Sequence, residues 1–407
     1  MNARETAVDV LCRTEGEYAN LLLKDALRGL DKKDRGLVSA IVYGCLTHRT
    51  RLDYVISHFC NFDKPDDTVK NILRAGAYQI LFMDRIPVSA AVNESVVLAK
   101  KKAPYSAGFV NGVLRKIATE EVLLPDREKN LVRYFKVKYS YPASIIKKFI
   151  SMFGEDEAEK LLDSLNAPQP TYARVNTLKP GWEKLADELG ERELINLVKL
   201  PGGIDIEENS LYKEGCFTVM QKSSVLACNM AEVKPGMRVL DMCAAPGGKT
   251  LYLAELMKNK GSVTAWDLYP HRVKLIEKNA ARMGITIVNP MVHDSTVFEE
   301  PLENRFDMVL LDAPCSGYGV ISGKPDIKWR KHEGDLPIIQ KKLIENGARY
   351  VKKGGILLYC TCTINDDENE NIANSLSGFE ILEMKTFLPH RDGTNGFFAA
   401  KMRKKDD

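Results

Sequence analysis

The sequence predicts a multidomain protein: an all-α amino-terminal domain, a small α+β insert, and an α/β domain built on a doubly wound, largely parallel sheet. Three observations carry that prediction. Up to about residue 124, apolar residues recur at helical spacing. From residue 216 onward, continuous aliphatic runs such as Met308-Val309-Leu310-Leu311 alternate with amphipathic stretches, the texture of parallel strands buried on both faces between helices. A strand, a glycine turn and a helix also follow one another through Arg238-Val239-Leu240-Asp241-Met242-Cys243-Ala244-Ala245-Pro246-Gly247-Gly248-Lys249-Thr250.

Bulk properties narrow the class. The 407 residues allow two or three domains, and 44% hydrophobic with 28% charged residues describes a soluble globular chain. A net charge of only +3 means that any nucleic-acid contact must come from local basic patches. Nine cysteines without disulfide-framework spacing point to a reducing compartment. No apolar run approaches the ~20 residues of a membrane span, and the amino terminus has no apolar signal core. A cytoplasmic monomer is expected.

In chain order, residues 1–124 carry amphipathic stripes such as Ala7, Val8, Val10 and Leu11, and helical runs such as Ile72–Phe82. Arg49, Arg51, Arg74, Lys100-Lys101-Lys102, Arg115 and Lys116 either solvate helix faces or form a phosphate-tracking surface. Residues 125–215 open on the aromatic and basic Arg133–Pro142, suited to base stacking or to ordinary packing. They continue with a strand at Thr171–Thr177 and a helix at Trp182–Leu189. In residues 216–407 the strands are Arg238–Asp241, Ser262–Asp267, Thr286–His293, Phe306–Asp312 and Gly355–Thr361. Helices Leu251–Met257, His271–Met283 and Pro337–Val351 lie between them, and Phe379–Met384 with Gly396–Met402 forms a final antiparallel pair.

The chemistry collects at the strand ends, which share one edge in a sheet of this type. The Cys243–Lys249 turn makes a backbone cradle, because glycines let a ligand approach the main chain and the first helical amides face it. A phosphate-gripping loop would need glycine where Cys243 stands, and Gly-x-Gly-x-x-Gly is absent, which disfavours a dehydrogenase. A nucleotide-like cofactor without phosphates is the better fit. An aspartate ending the second strand, Asp267, suits ribose hydroxyls, and Asp294 suits an adenine amino group. Cys315 and Cys362 lie at neighbouring tips, as core thiols, metal ligands or nucleophiles. The Cys360-Thr361-Cys362 spacing is wrong for zinc, so no metal is expected, and Lys249 is a source of the positive charge that would activate a thiol.

Asp241–Thr250, Asp312-Ala313-Pro314-Cys315-Ser316-Gly317 and Thr361-Cys362-Thr363 resemble the signatures of RNA cytosine-5 methyltransferases that use S-adenosylmethionine. Lys324–Trp329, Asp392-Gly393 with Gly396–Ala399, and Arg174-Val175-Asn176-Thr177 fit the same family. Arg74–Gln79 and Gly108–Arg115 resemble a NusB-type RNA-binding domain, and the combination is similar to the RsmB (Sun/Fmu) type, which acts on 16S ribosomal RNA. The resemblance implies a class I (Rossmann-like) methyltransferase domain with an RNA-binding insert before it. It implies that Cys243, Ala244, Ala245, Pro246, Gly247, Gly248, Lys249, Asp267, Asp294 and Asp312 bind S-adenosylmethionine. Cys362 would be the nucleophile that attacks C6 of an unpaired or flipped cytidine, and Cys315 would assist product release. Asp312 and Lys249 would help hold or polarise the base. Cys360 stands where the family usually has a small residue; a strand ending at Cys360 leaves Cys362 in the turn facing the pocket. The rival readings are the same chemistry on transfer RNA, and an RNA-binding assembly factor without catalysis.

Overall fold

The computed structural model describes residues 2–330 and 335–406. It contains two compact units, one of residues 1–167 with 321–331 and the other of residues 168–320 with 332–407. The first is all-α. Helices Ala3–Arg13, Lys32–Thr47, Asp67–Phe82, Val88–Lys102 and Ala107–Thr119 bury their apolar stripes in one core. Their starts are fixed by side chains that satisfy orphan amides: Asn2, Asp31 and Asp66 accept from Arg4, Asp34 and Val69. Gly44 is required where it stands, since an added Cβ would overlap the Tyr78 ring.

The helical unit continues to residue 167. Helices Leu131–Tyr139, Ala143–Phe153 and Glu155–Asn166 belong to it, and the aromatic run supplies fully buried Phe135 and Tyr141. The same unit takes in the turn Pro325–Trp329. There Lys328 is buried, donates to the Thr47 carbonyl (3.0 Å) and to Asn166 Oδ1 (2.6 Å), and lies 3.8 Å from the Tyr141 ring centroid. Burial pushes its pKa well down. Trp329 donates from Nε1 to the Leu46 carbonyl at 2.8 Å.

The second unit holds two sheets. The smaller comprises β1 (Tyr172–Val175), β2 (Glu191–Leu194), β3 (Leu197–Lys199) and β4 (Phe217–Val219), in the order β2-β3-β1-β4. Its anchor is Arg174, wholly buried and ion-paired with buried Glu255, whose other oxygen accepts from the Thr177 amide (3.0 Å) and hydroxyl (2.9 Å). Arg174 also lies 4.5 Å from the Tyr252 ring centroid.

The larger sheet comprises β5 (Arg238–Asp241), β6 (Ser262–Asp267), β7 (Val288–Val292), β8 (Phe306–Asp312), β9 (Val351–Thr361), β10 (Phe379–Phe387) and β11 (Phe397–Lys404), in the order β10-β11-β9-β8-β5-β6-β7. Strands β5 to β9 are parallel to one another, and β11 is antiparallel to β9 and β10. Helices Gly248–Leu256, Pro270–Met283 and Leu336–Tyr350 make crossover connections, so the predicted α/β class is the one observed. Among the described residues no helix is long and apolar enough to cross a membrane.

Candidate active site

Parallel register brings the carboxyl ends together. Asp241 pairs with Ala265 and Leu310, Asp267 with Val292, and Asp312 with Cys360, so the turns after these strands open on one edge of the sheet.

The turn after β5 is held from below. Buried Asp241 accepts from the Thr250 hydroxyl (2.6 Å) and the Cys243 amide (3.4 Å), and burial raises its pKa to about 7. Burial likewise drives the Cys243 thiol well up, so this half-buried cysteine is a neutral wall of the cradle. Gly247 sits at φ +102°, a left-handed conformation that side chains resist, and donates to the Ala244 carbonyl at 2.7 Å. Arg272 and Asn279, on the helix after β6, donate to the carbonyls of Ala245 and Pro246, each at 3.0 Å. The preceding bond, Ala245-Pro246, is cis.

These residues fit S-adenosylmethionine. A Cβ on Gly248 would meet nothing within 4 Å, so the cradle is open there. The first amides of helix Gly248–Leu256 have no intrahelical acceptor. Asp267 accepts from the Ala245 amide (3.2 Å) and the Tyr269 amide (3.3 Å), and a carboxylate retains further lone pairs for hydroxyls. Asp294, exposed, takes both the Thr296 amide (2.9 Å) and hydroxyl (2.7 Å) on one oxygen, which holds its pKa down and leaves the other oxygen to accept.

Beside the cradle, Lys249 Nζ lies 2.7 Å from Asp312 Oδ2 and 5.1 Å from the Phe397 ring centroid. Burial works against the lysine's charge, but the carboxylate outweighs it and raises the pKa above the ordinary value. The turns after β8 and β9 then place Cys315 Sγ 3.2 Å from Cys362 Sγ. The hydrogen bond to Cys362, with burial, raises the Cys315 thiol well above its usual range. Cys360 points elsewhere: it is completely buried in the apolar core, and burial raises its pKa strongly.

Sequence reasoning missed what fixes this pair. Glu368, 2% exposed, accepts from the Ser316 amide (2.8 Å), Gln340 Nε2 (3.0 Å) and Asn365 Nδ2 (3.0 Å). Ser316 and Thr363 share a hydroxyl contact of 2.7 Å, which ties one cysteine turn to the other. Gly319 donates to the Cys362 carbonyl (3.0 Å) and accepts from the Gly396 amide (2.9 Å). The only signal was the Asp366-Asp367-Glu368-Asn369-Glu370 run, which reads as a solvated acidic loop.

A glycine cradle at the carboxyl edge of a doubly wound sheet, with carboxylates at the neighbouring strand ends, fits an S-adenosylmethionine-dependent methyltransferase. The family model described as 16S rRNA methyltransferase RsmB/F matches residues 228–403, and that of the NusB family matches residues 1–119. A probable ribosomal RNA small subunit methyltransferase B of Bacillus subtilis is 37% identical, with 99% of each chain covered. Its counterpart of the same description in Synechocystis is 30% identical, covering 99% of this chain and 100% of the relative. The crystal structure of PH0851 superposes with a TM-score of 0.82 at 28% identity, covering 99% of both chains. The chain belongs to the RsmB/F family of 16S rRNA methyltransferases, with a NusB-family helical segment.

Proposed function

We propose that this protein methylates C5 of a cytidine in 16S ribosomal RNA through a covalent bond between Cys362 and C6 of the base. The observation that carries the reading is the thiol pair, 3.2 Å apart, beside the Lys249–Asp312 ion pair and the cofactor cradle.

Cytosine C5 is too weak a nucleophile to be alkylated unaided. Addition of the Cys362 thiolate to C6 forms a carbon–sulfur bond and gives C5 enamine character. S-adenosylmethionine, held by Cys243–Lys249, Asp267, Asp294 and Asp312, supplies an electrophilic methyl group when bound. Loss of the C5 proton then breaks the bond to Cys362 and restores the ring, with Cys315 assisting release. Lys249 and Asp312 orient and polarise the cytosine. A base stacked in a duplex cannot enter a pocket at a sheet edge, so the target is unpaired or flipped out. Residues 1–124 and 125–215 serve to hold the RNA, and the enzyme acts as a cytoplasmic monomer.

Bisulfite sequencing of 16S ribosomal RNA from cells with and without the protein tests the product. Cys362→Ser is expected to bind cofactor yet leave no 5-methylcytosine; normal turnover in that variant refutes the nucleophile assignment. Cys315→Ala is expected to accumulate as a covalent RNA complex on a denaturing gel, and a clean gel counts against the release role.

A further inference from the structure

The helical unit contains a cleft of about 670 Å³, within the range of ligand-holding clefts, that the chemistry above does not use. Its walls are helices Arg49–Phe59, Leu131–Tyr139 and Ala143–Phe153, which contribute Tyr54, Ser57, Arg133, Lys136 and Lys147. Arg133 and Lys136 are three apart on one helix and therefore share a face, while Lys147 projects from the next helix.

Elsewhere on this unit several basic residues pair with acids. Lys101 and Lys102 pair with Glu5 at 2.8 and 3.5 Å, Lys102 also with Asp9 at 2.7 Å, and Arg49 with Glu15 at 2.9 Å. Lys138 pairs with Glu159 at 2.9 Å. In the cleft the cations lack such partners. Among the described residues its one lining carboxylate, Asp53, has both oxygens taken by Arg74, at 2.7 and 2.9 Å. Among the described residues Arg133, Lys136 and Lys147 have no acidic partner, and all three are exposed. A single exposed lysine is ordinarily just solvated. Three unmatched cations converging on one concavity, beside a hydroxyl and an aromatic ring, form a field that selects a polyanion. Tyr54, oriented by its hydroxyl's bond to the Leu123 carbonyl (3.2 Å), adds a surface for stacking a base.

We propose that this cleft grips the phosphodiester backbone of a single-stranded stretch of the substrate RNA, with Arg133, Lys136 and Lys147 each meeting a phosphate. The inference rests on the reading that ribosomal RNA is the substrate, and it names where the helical unit holds it.

The test uses the full chain carrying Cys362→Ser, so that binding is read without chemistry. Filter binding of a 16S ribosomal RNA transcript is measured across a KCl series for this protein and for the same protein with Arg133→Gln, Lys136→Gln and Lys147→Gln. A charge-matched control carries Lys258→Gln, Lys260→Gln and Lys341→Gln, all exposed and outside residues 1–215. The cleft variant is expected to bind about tenfold more weakly, and its log–log salt slope to fall by about 2, at roughly 0.7 per phosphate contact on a single strand. The control is expected to stay within about twofold of the parent. Equal losses in the two triple variants, or no loss in the cleft variant, overturn the proposal. Cofactor affinity and melting temperature, expected to be unchanged in the cleft variant, report its fold. Methylation of C5 is scored separately by bisulfite sequencing with Cys362 intact, so failure of the cleft and failure of the catalytic reading are distinguishable.

Discussion

Glu368 offers the most demanding test of how the thiol pair is built. Replacing it with alanine removes an acceptor from the Ser316 amide, Gln340 Nε2 and Asn365 Nδ2, at 2.8, 3.0 and 3.0 Å. A hydrogen bond to a charged acceptor is worth about 1.5–3 kcal/mol net. The three are not additive, because half-buried Asn365 can recover water, whereas Gln340 is fully buried and the Ser316 amide lies within the same network. A loss of about 3–5 kcal/mol is therefore expected, close to the cost of breaking a buried charged pair. Glu368→Gln keeps one oxygen for Ser316 and Gln340. Its amide can face Asn365 once that side chain flips, so a loss nearer ~1 kcal/mol is expected. Urea unfolding measures both. Because the Ser316 turn carries Cys315, the alanine variant is also expected to slow single-turnover methylation by about tenfold to a hundredfold, the scale associated with a displacement of ~1 Å. Cofactor affinity is expected to remain. An alanine variant within ~1 kcal/mol of the parent and equally fast would show that the carboxylate does not hold the thiols in register.

Three further outcomes follow from the same geometry. Arg174→Met strands buried Glu255 and is expected to cost about 3–5 kcal/mol in urea unfolding, with much of that recovered by adding Glu255→Gln. Asp241 keeps its proton up to about pH 7 when folded, while its ordinary value is 3.8. The folded state thus binds the extra proton in that window, and stability falls as pH rises from about 4 to 7. Asp241→Asn is expected to flatten that part of the pH–melting curve, and an unchanged slope rejects the assignment. Gly319→Ala forces a Cβ against the Gly396 carbonyl and within 2.8 Å of the Cys362 carbonyl. It is expected to lose methylation while cofactor binding persists, as isothermal titration would read.

Motifs at strand ends were legible because they combine two local signals, an apolar run and a polar stop. Asp267 and Asp312 end β6 and β8 where the sequence predicts. The small sheet was legible only at β1. β2 reads Glu-Arg-Glu-Leu, with no apolar alternation to mark it, and is stabilised by pairing with β3. Residues 131–166 were harder still. Their aromatic and basic composition fits RNA contact and packing alike, and only tertiary structure assigns Phe135 and Tyr141 to the helical core. Lys328 shows the same limit from the other side. A lysine in a Pro325–Trp329 turn reads as solvated, yet two carbonyls, an amide oxygen and an aromatic face replace its water.

The two thiols are chemically unequal although both follow parallel strands. Two thiolates 3.2 Å apart would repel, so a first ionisation in the pair opposes the second. The contact with Cys362 and burial keep the proton on Cys315, and the nearby Glu368 carboxylate adds to the effect. The contact itself has no fixed direction; the proposed chemistry takes Cys315 as the donor and Cys362 as the acceptor, which leaves the electron pair needed for addition on Cys362. On the proposed chemistry, the same arrangement serves both directions of the carbon–sulfur bond. Cys362 attacks as the unprotonated partner, and a protonated Cys315 lies within reach when Cys362 must leave. Glu368 thus does two things from one position: it pins the Ser316 turn through the backbone, and its charge discourages Cys315 from becoming a second nucleophile.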